Sequence, residues 1–210
     1  MRQGDCSAMN ETIQKLPELT EWDVRLMAWH EAGHAVCSFF LPETEPIQYV
    51  SIEPDNDAFG AMQSSPRRKM NLTYISCLNE ISVAMAGRLS EEMFQKEITS
   101  SCIHDLTKIQ AIAWRMVCEL GMGKRTGLIT WLSHTEDSNE FLLFSEKQRD
   151  DIYADIKEIL DEAEKEARNL LEQHAQKVHA VVETLLSRKT LTAEILSSIL
   201  GSGKNRMYDV

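Results

Sequence analysis

The sequence predicts a mainly α-helical fold with one small β-hairpin and a helical bundle at its C-terminal end. Three observations predict it. Apolar residues recur at three- and four-residue spacing over most of the 210 residues. Period-two alternation is confined to about residues 46–64, on either side of a polar turn. The stretch 145–188 combines helical apolar spacing with many Glu, Asp and Lys residues. With 43% hydrophobic and 26% charged residues, the chain has enough apolar material to bury a sizeable core.

Taken in order, residues 1–18 are polar and irregular, and a loose arm is expected there. Thr20 with Asp23 three residues on reads as a helix N-cap. Trp22, Leu26, Ala28, Val36, Phe39 and Phe40 then thread an apolar run that Pro42 stops. Ile47, Tyr49, Val50 and Ile52 pair across Glu-Pro-Asp-Asn-Asp with Phe59, Ala61 and Gln63 as a hairpin, the only sheet expected. Helical spacing from about Asn71 to Phe94 is predicted to bend near Gly87. A further helix runs from about Ser101 to Leu120. Gly121, Gly123 and Gly127 mark a loop, and Ile129 to Leu132 are expected as a short strand or core contact. Helices follow from Ser145 to Arg188, and Thr192 caps a last short one. This organisation divides as arm 1–18, core 19–144 and C-terminal helical subdomain 145–210.

Charge and cysteine usage exclude several function classes. Lys+Arg 22 against Asp+Glu 33 gives a formal net charge of -11, which repels phosphate backbones, so no nucleic-acid partner is expected. Cys6, Cys37, Cys77, Cys102 and Cys118 are odd in number and never form a Cys-x-x-Cys pair, so neither a disulfide framework nor a thiolate metal site is expected, and most should be small buried residues. The N-terminus has no apolar segment of signal-peptide type and nowhere do roughly 18 apolar residues run together. The expectation is a soluble, cytoplasmic chain without direct membrane insertion. GMGK at Gly121 and GSGK at Gly201 lack the full phosphate-loop spacing and read as ordinary loop glycines.

His30-Glu31-Ala32-Gly33-His34 carries the chemistry. One helical turn separates residue i from i+4, so both imidazoles leave one face and can bind a single ion, with Glu31 beside them. A zinc ion held by three protein ligands keeps a fourth position for water and lowers its pKa to about 7. Glu31 is then positioned as the catalytic base that takes the water's proton and later delivers it to the leaving amine. Gly33 costs about 1 kcal/mol of helix propensity against alanine, which suggests that another segment passes close to it. The third ligand is open on spacing alone: Glu91 or Glu92, Asp105, or its neighbour His104.

Around this motif the phrases AWHEAGHAV, IQYVSIEP with FGAMQ, MAGRLSEEMF and SSCIHDLTKIQAIAWRMVCELGM occur in an order and at separations that resemble the peptidase domain of FtsH-type AAA zinc metalloproteases, over about residues 22–200. The resemblance implies His30, His34 and Asp105 as metal ligands, Glu31 as base, Zn2+ as cofactor, and Glu91 and Glu92 as supporting groups. It departs at Ala86, where the family pattern has glycine, and in SSCIHDL, where Cys102 and His104 stand at positions the family fills with small or polar residues; both are read as bland surface or core groups. The implied activity is zinc endopeptidase cleavage of unfolded or extended polypeptides. The implied partners are polypeptide substrates and further copies in a homo-oligomer, with a hexamer as one option; because these residues carry no ATPase motif, the chain is read as a stand-alone relative, as acting beside a separate AAA ATPase, or as an excised piece. The rival is a catalytically silent scaffold or regulatory subunit of the same fold.

The resemblance also suggests that a hairpin edge at Val50 to Glu53 pairs with an extended substrate. Trp22, Trp29, Trp114 and Trp131 read as core or interface anchors. The acidic series Asp150, Asp151, Asp155, Glu158, Asp161, Glu162, Glu164 and Glu166 reads as a solvated face.

Overall fold

The computed structural model describes residues 19–53, 60–64, 71–130 and 144–201. The expected arm 1–18, together with Cys6, Phe59, Trp131 and Leu132, lies outside them. The fold is mainly helical, as the apolar spacing predicts, with a small antiparallel sheet.

Helix α1 (Glu21–Phe40) starts from a full capping box: Asp23 N donates to Thr20 Oγ1, and Thr20 N donates back to Asp23 Oδ2 at 2.8 Å. Every residue from Ala28 to Ser38 is buried, so α1 is the central helix rather than a surface one. It crosses helix α2 (Tyr74–Ser90) at Gly33, where a Cβ would stand 2.3 Å from the Ala86 carbonyl oxygen and 2.7 Å from Ser90 Cβ. The close approach expected from a mid-helix glycine is therefore present, and the two backbones are in contact.

The expected bend at Gly87 is absent. Helix α2, capped by Thr73 and Ser76, runs unbroken through it, and the irregularity falls one turn later as a π-helical turn over Glu91–Gln95, which Lys96 ends in the left-handed region (φ 59°). A short 3-10 turn at Ser100–Cys102 leads into α3 (Ile103–Cys118).

The hairpin forms as β1 (Ile47–Ser51) and β2 (Ala61–Ser64), but it is not the whole sheet. Thr190–Thr192, between α5 (Ala175–Arg188) and α6 (Ala193–Leu200), makes a third strand, β3, antiparallel to β1 in the order β2-β1-β3. Val50 thus faces Met62 on one side and Leu191 on the other, and Ile52 N donates to Lys189 O at 2.9 Å. Of the stretch Val50–Glu53 expected to offer an open edge, Val50 and Ser51 are instead paired on both sides in the central strand. Among the described residues, the free edge beside the site belongs to β2.

Helix α4 (Glu146–Gln173) ties the molecule together. Its Ala167, Leu170 and Leu171 join α1, β1, α5, β3 and α6 in one apolar cluster, while Ile152, Ile159 and Ala163 join α2 and α3 in a second. Asp155, read as part of a solvated face, is buried at 2% exposure. Its carboxylate accepts from Arg125 N, Thr126 N and Thr126 Oγ1 and pairs with the Arg125 guanidinium at 2.9 Å. Burial opposes its ionisation, yet the hydrogen bonds from Thr126 and Arg125 outweigh that and hold it below the usual carboxylate range. Gly123 packs against the same carboxylate, so the GMGK turn is built around a negative charge and cannot cradle a phosphate.

One smaller expectation also changes: Leu128 and Ile129 are exposed and neither joins a strand. Of the tryptophans expected as core or interface anchors, Trp29 is buried against Phe94 and His179, and Trp22 is 55% exposed. Cys37, Cys77, Cys102 and Cys118 are buried free thiols, as their scatter predicts. No helix of the described residues is long and apolar enough to cross a membrane.

Candidate metal centre

Helix α1 presents His30 and His34 one turn apart with their rings 4.6 Å centre to centre and their Nε2 atoms 3.0 Å apart. The first turn of α3 brings Asp105 to them, its Oδ2 lying 3.1 Å from His30 Nε2 and 3.3 Å from His34 Nε2. Ligand atoms of all three residues fall within 4.8 Å of one another, the one such grouping among the described residues.

The far side of each ring is held. His34 Nδ1 lies 2.7 Å from the Val83 carbonyl, which can only accept, so Nδ1 carries the hydrogen and the Nε2 lone pair points at the shared centre. His30 Nδ1 lies 2.7 Å from Glu91 Oε1. Glu91, 1% exposed in the π-helical turn, is itself gripped by Thr99 Oγ1 at 2.8 Å and Ser101 Oγ at 2.7 Å. Burial opposes its charge, but His30, Ser101 and Thr99 together hold its carboxyl below the usual range.

The centre attracts positive charge. Burial alone would push the His30 imidazole down, yet the carboxylates of Asp105 and Glu91 overcome this and raise it to about 10. Asp105 moves the other way: burial opposes ionisation, and the two histidines still hold it well below the carboxylate range. Two imidazole nitrogens and one carboxylate are a donor set suited to a divalent ion of zinc type.

Glu31 follows His30 on α1 and is 7% exposed. Its Oε2 is buried with no hydrogen-bond partner among protein atoms. Burial raises its pKa, with His34 and His30 pulling the other way. Gly60 stands across from it at φ 153°, where a Cβ would meet Glu31 Oε1 at 2.9 Å.

Gly87 was legible only as a possible bend, and its role is spatial. A Cβ there would stand 2.5 Å from His34 Nε2 and 2.7 Å from His30 Nε2, so only glycine leaves room for both rings on the α2 side. A glycine inside an otherwise regular helical pattern is the signal that points to such a role.

The centre opens into a cavity of about 630 Å³ bordered by His30, Glu31, Asp105, Gly60 and Met62. His104, exposed, borders the cavity without joining the converging donors. Cys102 is buried with Sγ directed at Thr99 O, and Glu92 pairs with Arg168 at 3.0 Å, so neither joins the donors.

Comparison with known proteins gives a consistent result. The profile of peptidase family M41 matches residues 18–199. The chain is 31% identical over 196 residues to "ATP-dependent zinc metalloprotease FtsH 2" of Methylacidiphilum infernorum, covering 89% of this chain and 30% of that protein. It is 32% identical over 213 residues to "ATP-dependent zinc metalloprotease FtsH 3" of Petrotoga mobilis, covering 93% and 32%. It is also 32% identical over 192 residues to "Mitochondrial inner membrane m-AAA protease component YTA10" of Saccharomyces cerevisiae, covering 90% and 25%. The chain therefore spans no more than about a third of the length of these relatives. With a profile match over nearly all of its length, the chain belongs to peptidase family M41.

Proposed function

We propose that this chain is a zinc endopeptidase that hydrolyses unfolded or extended polypeptides, with His30, His34 and Asp105 as the zinc ligands and Glu31 as the general base. The observation that carries the reading is the convergence of three ligand atoms within 4.8 Å beside a buried Glu31 Oε2 that has no protein partner. A scaffold gains nothing from that arrangement, since an unsatisfied buried oxygen costs about 1–3 kcal/mol.

When bound, zinc would polarise a peptide carbonyl and lower the pKa of water to about 7. The residues do the rest. Glu91 and the Val83 carbonyl keep the two imidazoles oriented so that neither ring must reorganise. Glu31 Oε2 takes the proton from the attacking water, and burial raises its proton affinity against the opposing pull of His34 and His30. The same carboxyl then delivers that proton to the amine as the peptide bond breaks.

Among the described residues the outer edge of β2 is unpaired and runs along the cavity from Ala61, so an extended chain can bind there by backbone pairing. A folded protein keeps most of its backbone groups paired internally and offers few such strands, and the relatives' names describe ATP-dependent enzymes. We therefore also propose that the chain works in a homo-oligomer and with AAA ATPase activity, in which residues 19–144 form the peptidase core and 145–210 a helical subdomain that buttresses it.

The test uses casein as an unfolded substrate and a stably folded protein of similar size, with chelator added and zinc restored. Casein is expected to be degraded, chelation to stop this, zinc to restore it, and the folded protein to survive. Degradation that persists under chelation, or equal loss of the folded protein, contradicts the reading.

A further inference from the structure

We propose that Ser101 is a positioning residue of the metal centre: its hydroxyl fixes the His30 ring through Glu91, and the same bond fixes the chain that carries Asp105. The inference rests on the peptidase reading above and adds a residue to the site which that reading describes.

The Ser101 hydroxyl stands where three parts of the site meet. Its Oγ donates to Glu91 Oε1 at 2.7 Å, the same oxygen that lies 2.7 Å from His30 Nδ1, and it stands 3.4 Å from that nitrogen itself. Thr99 Oγ1 donates to the other oxygen of Glu91, Oε2, at 2.8 Å and lies 2.7 Å from Ser101 Oγ. A carboxylate with a hydroxyl donor on each oxygen cannot turn about its last bond without breaking one of them, so Oε1 stays aimed at the ring. Without the Ser101 bond, Glu91 can rotate away, and the imidazole loses the partner that keeps Nε2 directed at the shared centre.

The second role comes from the chain. Ser101 is the middle residue of the 3-10 turn Ser100–Cys102 and stands four residues before Asp105. Helix α3 starts at Cys102 with no side-chain cap of its own. Its lead-in is held instead by Thr99 Oγ1, which accepts from Ser101 N at 3.3 Å, and by Ser100 O, which accepts from Ile103 N. The bond from Ser101 Oγ to Glu91 ties this lead-in to the π-helical turn after α2. One hydroxyl therefore sets a ligand from α1 and a ligand from α3 against the same buried carboxylate. The bonds that shape the turn use Ser101 N and Thr99 Oγ1, not Ser101 Oγ, so Ser101→Ala removes the link and leaves the turn. Ser101 is also exposed and borders the catalytic cavity, and the test must separate positioning from direct contact with substrate.

The experiment uses the full chain, with zinc titrated against a chromophoric chelator and with kcat and KM measured on a quenched peptide at saturating zinc. Ser101→Ala is expected to bind zinc about tenfold more weakly and to lower kcat with KM unchanged, while Ser101→Thr, which keeps the hydroxyl, returns zinc affinity to within about twofold of the wild type. In a Glu91→Gln background the hydrogen bond is no longer charge-assisted, and the effect of Ser101→Ala on zinc affinity is expected to shrink to about twofold. Unchanged zinc affinity in Ser101→Ala overturns the proposal, and a raised KM beside that unchanged affinity would make Ser101 a substrate contact. A tenfold effect that persists in the Glu91→Gln background also overturns it, because Ser101 would then not act through Glu91. A wild type that binds zinc but cleaves no peptide refutes the peptidase reading, while the zinc titrations still decide the positioning role; a wild type that binds no zinc refutes both.

Discussion

Replacing Glu31 by Gln is expected to lower peptide cleavage by roughly 10³-fold while leaving the bound zinc and the fold in place. Glutamine has the same length and occupies the same buried slot, and none of the converging donor atoms belongs to Glu31. What it lacks is a basic oxygen at the position of Oε2, where no protein group substitutes for it. A neutral amide there also removes a buried charge, so the thermal midpoint is expected to hold or rise. Matched kcat and metal measurements on this variant separate chemistry from assembly: loss of both together would mean that Glu31 is structural.

The second large effect is expected at Gly87. Gly87→Ala should abolish zinc binding without unfolding the protein, because alanine gains about 1 kcal/mol of helix propensity while its Cβ intrudes on both imidazoles at 2.5–2.7 Å. The rings cannot simply swing aside, since the Val83 carbonyl and Glu91 hold their other nitrogens at 2.7 Å. Gly33→Ala is the contrast. There the Cβ would meet the Ala86 carbonyl oxygen at 2.3 Å, a backbone atom that moves only with helix α2, so destabilisation of about 3 kcal/mol or more is expected. Circular dichroism melts and zinc titration of the two variants check this: a folded, metal-free Gly87→Ala beside an unstable Gly33→Ala is the expected pair.

Much of the helical framework was legible because its signals are local. The capping box at Thr20 and Asp23, the i to i+4 spacing of His30 and His34, and the mid-helix glycine at Gly33 are each read from residues no more than four apart in sequence. The misses share a cause. Strand β3 is three residues long and exists only because β1 lies beside it, 139 residues away in sequence at the Ser51–Thr190 contact, so no periodicity could reveal it. Asp155 carries the same residue type as the solvated acids around it, and only the turn at Arg125 and Thr126 distinguishes it. Gly87 looked like a break because its compensating contact is with another helix. Spacing also left the choice among Glu91, Glu92, His104 and Asp105 open, since Asp105 meets His30 across 75 residues; family resemblance, not local pattern, singled it out.

The most direct measurement is zinc per chain by plasma mass spectrometry on the wild type, His34→Ala and Asp105→Ala, each purified without added chelator and checked for folding. The account predicts about one zinc per chain in the wild type and a near-complete loss in both folded variants. A wild type without zinc, or an Asp105→Ala variant that retains it in full, would contradict the assignment of His30, His34 and Asp105 as the metal centre.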